Sequence, residues 1–199
     1  LAGQPEPPKY FAMMKKLNKV GPEVLGDVPR PARMTVRQFE DAREAGLRIV
    51  DTRDKFSFAG GHLPGSINIQ DNKAFSTWAG WILSYDEPFV LIAPDNRIEE
   101  LTRMLIRIGL DNIHGYVDCV DKIADIGHEL SVMKQITVTE LADNLDNYFV
   151  LDVRGYTEFE AAHIPGAKNI HVGHLEDNLE RIPRDRPVAV SATATPPAP

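Results

Sequence analysis

One motif occurs twice in this sequence of 199 residues and constrains the fold more than any other feature. Each copy contains an aspartate, an arginine two positions later and a histidine eleven positions after the aspartate: Asp51, Arg53 and His62, then Asp152, Arg154 and His163. Every residue of the second set follows its counterpart by 101 positions. A constant offset together with a constant internal spacing indicates two copies of one domain.

The residues around each motif predict a strand, a loop and a second short strand. Apolar, β-prone runs at residues 47–50 and 148–151 precede the two aspartates. Each histidine opens a His-x-Pro-Gly turn, in which proline fixes φ and the glycine, Gly65 or Gly166, permits a positive φ. Ahead of each motif, a threonine and a Gln or Glu three positions later have the spacing of a helix capping box: Thr35 with Gln38, and Thr137 with Glu140.

Strands and helices alternate after the first motif. An irregular stretch containing Trp78, Trp81 and Tyr85 comes first, and its aromatic rings are expected in the core or at its rim. Residues 87–92 then predict a buried strand, and residues 97–108 an amphipathic helix. The alternation predicts an α/β fold around a mostly parallel sheet.

The chain is predicted to contain three segments: residues 1–33 as a linker and a helix, residues 34–133 as the first domain, and residues 136–199 as the second. The helix that begins near Tyr10 either docks on the first domain, which its apolar spacing favours, or connects to an upstream domain. Residues 187–190 repeat the strand of the first copy, but residues 191–199 contain only Ser, Ala, Thr and Pro. The second domain is therefore predicted to be incomplete as written, with further residues or a neighbouring chain completing its sheet.

Composition excludes several classes of protein. The net charge is −7 and no dense basic patch is present, so nucleic acid is not an expected partner. No apolar run approaches the length of a membrane span. One cysteine excludes an internal disulfide and fits a reducing, cytoplasmic compartment.

The sequence resembles the rhodanese (sulfurtransferase) domain. The resemblance is carried by the two motifs, their turns, and the strand, loop and amphipathic helix that follow. The resemblance spans residues 34–133 and, in part, residues 136–190. It implies a three-layer α/β fold in two tandem copies, each with a central parallel sheet and helices on both faces. A helix ahead of two repeats is similar to the metallo-β-lactamase–rhodanese fusions, some of which resemble persulfide dioxygenases. The expected partner is then an upstream metallo-β-lactamase-like domain or a sulfur-carrying protein, and a homodimer is a further alternative.

No metal or cofactor is predicted. The hydrolase motif of those fusions, His-x-His-x-Asp-His, cannot be formed from any of the six histidines. His171 and His174 lie close in sequence, but no third ligand is indicated near them.

Active rhodaneses carry a cysteine at the start of the loop after the strand equivalent to residues 87–92, because a thiolate must accept the transferred sulfur. In this sequence that position falls on Ala93 in the first copy and on Ala192 in the second. A methyl group is not a nucleophile, so the resemblance assigns a catalytic residue to neither copy. Cys119 follows a strand between acidic neighbours that would raise its pKa, and a structural role is expected for it.

The loop that replaces the catalytic one consists of Ala93, Pro94, Asp95, Asn96 and Arg97. It is either a vestige of the family's anion-binding loop or an ordinary helix start, in which Asp95 or Asn96 is the N-cap and Arg97 is solvated. The missing N–H of Pro94 and the negative charge of Asp95 favour the helix start. The aspartates, arginines and histidines of the two motifs are expected to tie loops together.

The leading hypothesis is a non-catalytic tandem rhodanese-like module linked to sulfide or persulfide metabolism, acting in domain packing or partner binding. The alternative is a thiosulfate or persulfide sulfurtransferase whose catalytic cysteine lies in a second domain that is not fully represented. A phosphatase related to the rhodanese fold would also need a loop cysteine.

Overall fold

The computed structural model describes residues 10–21, 26–118, 120 and 129–192. The chain divides into two compact units, one ending at Lys134 and the other beginning at Gln135. The predicted linker at residues 1–8 and most of the low-complexity stretch, residues 193–199, lie outside the described residues.

The first unit alternates helices and strands, and two of its helices were not predicted from the sequence. Its helices are α1 (Tyr10–Val20), α2 (Val36–Glu44), α3 (Lys55–Gly60), α4 (Phe75–Ile82) and α5 (Ile98–Ile106). Its strands are β1 (Arg48–Asp51), β2 (Ile67–Asn68), β3 (Phe89–Ile92) and β4 (Ile113–Val117). The strands form one parallel sheet in the order β2-β1-β3-β4, so β1 and β3 are interior strands.

Helices cover both faces of this sheet. On one face, Phe89 and Leu91 of β3 pack against α4 and α5, with Tyr10 and Met14 of α1 at the margin of the cluster. On the other face, Val90 of β3 packs with Phe39 and Ala42 of α2 and with residues of the surrounding loops. Burying alternate residues of β3 on opposite faces explains why the whole strand is apolar. The predicted α/β fold with helices on both faces is therefore confirmed in this unit.

The second unit repeats the first half of this arrangement. Its helices are α6 (Val138–Asp143) and α7 (Tyr156–Ala161), and its strands are β5 (Phe149–Asp152), β6 (Lys168–Asn169) and β7 (Val188–Ser191). The strands are parallel and lie in the order β6-β5-β7. Between β6 and β7 the chain forms two 3₁₀ segments, Val172–His174 and Glu176–Arg181, where the first unit has α4.

Local signals in the sequence are confirmed where they involve neighbouring residues. Both capping boxes form, at Thr35 with Gln38 and at Thr137 with Glu140. The glycines of the two His-x-Pro-Gly turns have φ of 83° at Gly65 and 80° at Gly166, as the turns require.

Two expectations about helices were wrong, because the loop expected between β1 and β2 contains α3 and a second helix was also missed. The stretch expected to be irregular contains α4, whose N-cap residue, Ala74, forms no side-chain cap bond, so the sequence gave no start signal. The amphipathic helix expected over residues 97–108 is confirmed with shorter bounds: a 3₁₀ turn, Asp95–Arg97, precedes α5, which ends at Ile106. Tight 3₁₀ turns are common at helix termini, where backbone amides lack intrahelical partners.

Candidate functional site

The motif residues lie where the strands of each sheet end, at the edge where open parallel sheets usually place a site. In the first unit Asp51 ends β1 and pairs with Ile92, the last residue of β3, and with Asn68 of β2. The loop that follows β3 therefore begins directly beside the first motif.

The first motif is a clamp around a buried carboxylate. The Asp51 side chain is fully buried, and Arg53 donates to both of its oxygens, with 3.0 Å from Nε to Oδ1 and 2.6 Å from a terminal nitrogen to Oδ2. The same terminal nitrogen donates to the Gly61 carbonyl at 2.8 Å. The Asn68 amide donates to the Asp51 and Arg53 carbonyls at 2.9 and 2.8 Å. These hydrogen bonds join the end of β1, the residue that follows α3 and strand β2 to one another.

The second motif forms the same clamp. Arg154 donates to Asp152 Oδ1 at 3.0 Å, to Oδ2 at 2.6 Å and to the Ala162 carbonyl at 2.7 Å, and Asn169 takes the place of Asn68. Burial opposes ionisation of Asp152, but the hydrogen bonds and charge of Arg154 outweigh it and hold the pKa of this carboxyl below its usual value. Sequence reasoning missed the two asparagines, although both follow a His-x-Pro-Gly turn at the same spacing.

The two motif histidines stabilise short helices. The His62 ring stacks on Phe58 with centroids 4.1 Å apart, and its Nδ1 lies 2.9 Å from the Phe58 carbonyl oxygen. The His163 ring stacks on Phe159 at 3.9 Å, with Nδ1 2.7 Å from that residue's carbonyl oxygen. Each imidazole therefore packs against the last turns of α3 or α7.

Ala93 and Ala192 occupy equivalent positions in the two units. Ile92 pairs with Asp51 and Ser191 pairs with Asp152, and each alanine is the next residue along the chain. Ala93 is almost fully buried at 1% exposure, and its amide donates to the Val117 carbonyl at 3.0 Å. The methyl group of neither alanine can act as a nucleophile, and neither can donate or accept a proton.

Arg97 is held by two carboxylates, and the expectation that it is simply solvated was wrong. Its Nε lies 2.6 Å from Asp71 Oδ2, and a terminal nitrogen lies 2.9 Å from Asp71 Oδ1. The other terminal nitrogen donates to Glu100. The hydrogen bonds to Asp71 raise the pKa of Arg97 above its already high value. All three nitrogens of the guanidinium are therefore engaged by anions of the protein itself.

Asp95 also has a role other than the expected one. Neither Asp95 nor Asn96 caps a helix, because the residue before α5 is Arg97 and no side-chain cap bond forms there or at the 3₁₀ turn. Asp95 instead forms an ion pair with Arg33 at 3.3 Å, and Arg33 also contacts Asp118. Burial raises the pKa of the Tyr116 hydroxyl, and its hydrogen bond to Asp95 raises it further.

The described residues offer no metal centre. No group of three or more His, Cys, Asp or Glu side chains among them could hold an ion. His171 and His174 have ring centroids 5.9 Å apart, and His171 Nδ1 accepts from the Gly173 amide at 3.2 Å. Cys119, for which a structural role is predicted, lies outside the described residues. None of the helices in the described part of the chain is long and apolar enough to cross a membrane.

Two parallel sheets with the same buried aspartate–arginine clamp define an α/β protein built from tandem copies of one domain. The model of the rhodanese-like domain family matches residues 35–121 and residues 137–192. The chain therefore belongs to the rhodanese-like domain family.

Individual relatives match parts of this chain. The uncharacterized protein YqhL of Bacillus subtilis is 35% identical over 66 residues, which are 33% of this chain and 52% of that protein. A solved structure described as a metallo-beta-lactamase from Staphylococcus aureus is 33% identical with a TM-score of 0.51, covering 59% of this chain and 32% of that one. A thiosulfate sulfurtransferase from Pseudomonas aeruginosa is 16% identical with a TM-score of 0.43, covering 94% and 41%. The chain thus spans about half the length of YqhL and about a third of the Staphylococcus protein.

Proposed function

We propose that the chain is a non-catalytic tandem rhodanese-like module of a metallo-β-lactamase/rhodanese-type protein linked to sulfide or persulfide metabolism. Its role is to pack against a neighbouring domain or to bind a partner protein. The observation that carries the proposal is Ala93, buried at the end of an interior strand where the family places its nucleophile.

The electrostatics of the loop support the same proposal. A sulfur donor such as thiosulfate is an anion, and stabilising it requires free donors or positive charge. Arg97 is the cation nearest the start of α5 along the chain, and Asp71 and Glu100 already neutralise it. Asp95 adds a negative charge, and Pro94 contributes no N–H.

The similarity to the Staphylococcus metallo-beta-lactamase supports the fusion part of the proposal. Identity of 33% over more than half of this chain exceeds what a shared fold alone requires, and the match covers 32% of that longer chain. The match to the rhodanese-like domain family supports the link to sulfur chemistry.

A sulfur-transfer assay tests the absence of catalysis. The full chain and its Cys119→Ser variant are incubated with thiosulfate and cyanide, and thiocyanate is measured with a thiosulfate sulfurtransferase as a positive control. We expect no thiocyanate above the uncatalysed rate from either protein. Turnover that disappears in Cys119→Ser would identify Cys119 as a nucleophile, and turnover that persists would require a different mechanism. Either result would refute the proposal.

A further inference from the structure

The Asp71 carboxylate contacts Arg97 in the way that a bound oxyanion would. Its Oδ2 accepts from Nε at 2.6 Å and its Oδ1 from a terminal nitrogen at 2.9 Å, so it covers the edge of the guanidinium that binds oxyanions at two points. Glu100 accepts from the other terminal nitrogen. Two carboxylates against one guanidinium leave this cluster with a net negative charge.

Backbone hydrogen bonds fix both partners of this pair. The Asp71 amide donates to the Thr52 carbonyl at 2.9 Å, which places Asp71 beside the end of β1. The Arg97 amide donates to the Pro94 carbonyl at 2.9 Å, within the 3₁₀ turn ahead of α5. Exposed ion pairs usually contribute little to stability, but a two-point arginine–carboxylate contact between fixed residues is an exception. The pair is therefore a persistent part of the loop structure.

The second unit has a valine where the first has Asp71. Val172 follows Asp71 by the repeat offset of 101 positions, and its amide donates to the Val153 carbonyl at 3.0 Å, as the Asp71 amide donates to that of Thr52. The backbone of the repeat is thus the same at this position with either residue. Since the fold does not require a carboxylate here, the role of the aspartate lies in the side chain that it binds.

We infer that Asp71 is an internal anion that closes Arg97 to oxyanions such as sulfate and thiosulfate. Arg97 directly precedes α5, where the helix dipole favours negative charge, and lies at the carboxyl-terminal edge of a parallel sheet, where small ligands usually bind. An external oxyanion has to displace Asp71, so its apparent affinity is reduced by the fraction of molecules in which Arg97 is unpaired. The contact is autoinhibitory, and it rests on the proposed function only for its role, which is to exclude anionic sulfur donors from the first unit.

Sulfate binding to the full chain tests the inference, because sulfate resembles thiosulfate in charge and shape but has no sulfur atom to transfer. Sodium sulfate is titrated at constant ionic strength, and the NMR shifts of the first-turn amides of α5 are followed. We expect saturable shifts in Asp71→Asn, with a midpoint at least about tenfold lower than in the wild-type chain, because Arg97 is then unpaired in most molecules instead of about one in ten or fewer.

Three variants are controls. Glu99→Gln removes the same charge from the exposed Glu99–Arg103 pair and should leave sulfate binding as in the wild-type chain. Asp71→Asn combined with Arg97→Gln should lose the saturable shifts. Asp71→Val, which has the side chain of Val172, should bind sulfate as Asp71→Asn does, and it replaces that variant if Asp71→Asn does not fold.

Three results would overturn the inference. Equal midpoints for the wild-type chain and Asp71→Asn would show that the pair does not compete with anions, and an equal gain in Glu99→Gln would show that the effect is one of net charge. Folded Asp71→Asn and Asp71→Val variants that bind no sulfate would show that no anion site lies behind Asp71. Thiocyanate formation by the wild-type chain would refute the proposed function without changing the sulfate titrations, so the two failures are distinguishable.

Discussion

Arg97 and Asp71 form an ion pair with two hydrogen bonds in the first unit, although they are 26 positions apart in sequence. Asp71 lies between β2 and α4, and Arg97 directly precedes α5. The pair therefore joins the loop after β2 to the loop after β3, the two strands that flank β1. With Glu100 on its third nitrogen, Arg97 contributes little net positive charge to the loop that begins at Ala93.

Placing a cysteine in this loop should not create a sulfurtransferase. In an Ala93→Cys, Cys119→Ser variant, we expect no thiocyanate formation, because Arg97 stays paired with Asp71. Burial should also hold the pKa of the new thiol at or above the free value of about 8.5. The rate of alkylation as a function of pH measures that pKa. A thiol pKa below 7, or measurable turnover, would show that the loop still stabilises anions.

Removing the arginine partner of either buried aspartate should strongly destabilise the folded protein. Arg53→Ala leaves Asp51 as an uncompensated buried charge, which should lower the free energy of unfolding by about 3 kcal/mol. Arg154→Ala should have a similar effect in the second unit, since Asp152 is 1% exposed. Urea unfolding monitored by hydrogen exchange in each unit measures both losses.

Arg103→Ala is the control for both clamp variants. Arg103 pairs with Glu99 on the surface of α5, where both side chains are at least half exposed, so its loss should cost only about 0.5 kcal/mol. Equal losses for Arg53→Ala and Arg103→Ala would contradict a structural role for the buried clamp.

Acid should destabilise the second unit through Asp152. The pKa of this carboxyl is lowered in the folded protein, so the unfolded chain binds its proton first as the pH falls. Its stabilising contribution is complete above the unfolded value of about 3.9 and is lost as the pH falls through the lower folded value. The difference in unfolding free energy between the wild-type chain and Asp152→Asn should therefore shrink as the pH falls from 5 to below the unfolded value of about 3.9. A difference that stays constant over this range would contradict a lowered pKa.

The sequence predicts those parts of the molecule whose determinants are neighbours along the chain. Thr35 and Gln38 form their capping box because both groups lie within one helical turn, and the apolar run of β3 reflects burial on two faces. The repeated motif identifies both aspartate–arginine clamps, because in each clamp the aspartate and the arginine lie two positions apart.

Contacts between residues distant in sequence left no such signal. Nothing near Arg97 indicates that Asp71 would reach it, and nothing near Asp95 points to Arg33, 62 positions earlier. The helix α4 was missed for a related reason: it has no capping side chain and contains Gly80, a poor helix former. Its stability comes from tertiary packing, in which Phe75 and Ala79 are fully buried.

Gly80 should be essential for the docking of α1. A Cβ at this position would lie 2.8 Å from Tyr10 Cγ and 2.9 Å from Tyr10 Cβ, and these atoms are too near the backbone to move freely. We expect Gly80→Ala to destabilise the first unit by about 1–3 kcal/mol, although alanine normally stabilises a helix interior by about 1 kcal/mol relative to glycine. In a Tyr10→Gly background the contacting side-chain atoms, Cβ included, are gone, so the same substitution should become stabilising.

Gly60→Ala provides the matched control, because no atom lies within 4 Å of its Cβ position at the end of α3. The double-mutant cycle of Tyr10 and Gly80, measured by urea unfolding, isolates the contact from the intrinsic helix preference. A Gly80→Ala variant that is stabilised even with Tyr10 present would mean that α1 does not rest against α4 in solution. In that case the helix could serve as a connector to another domain instead.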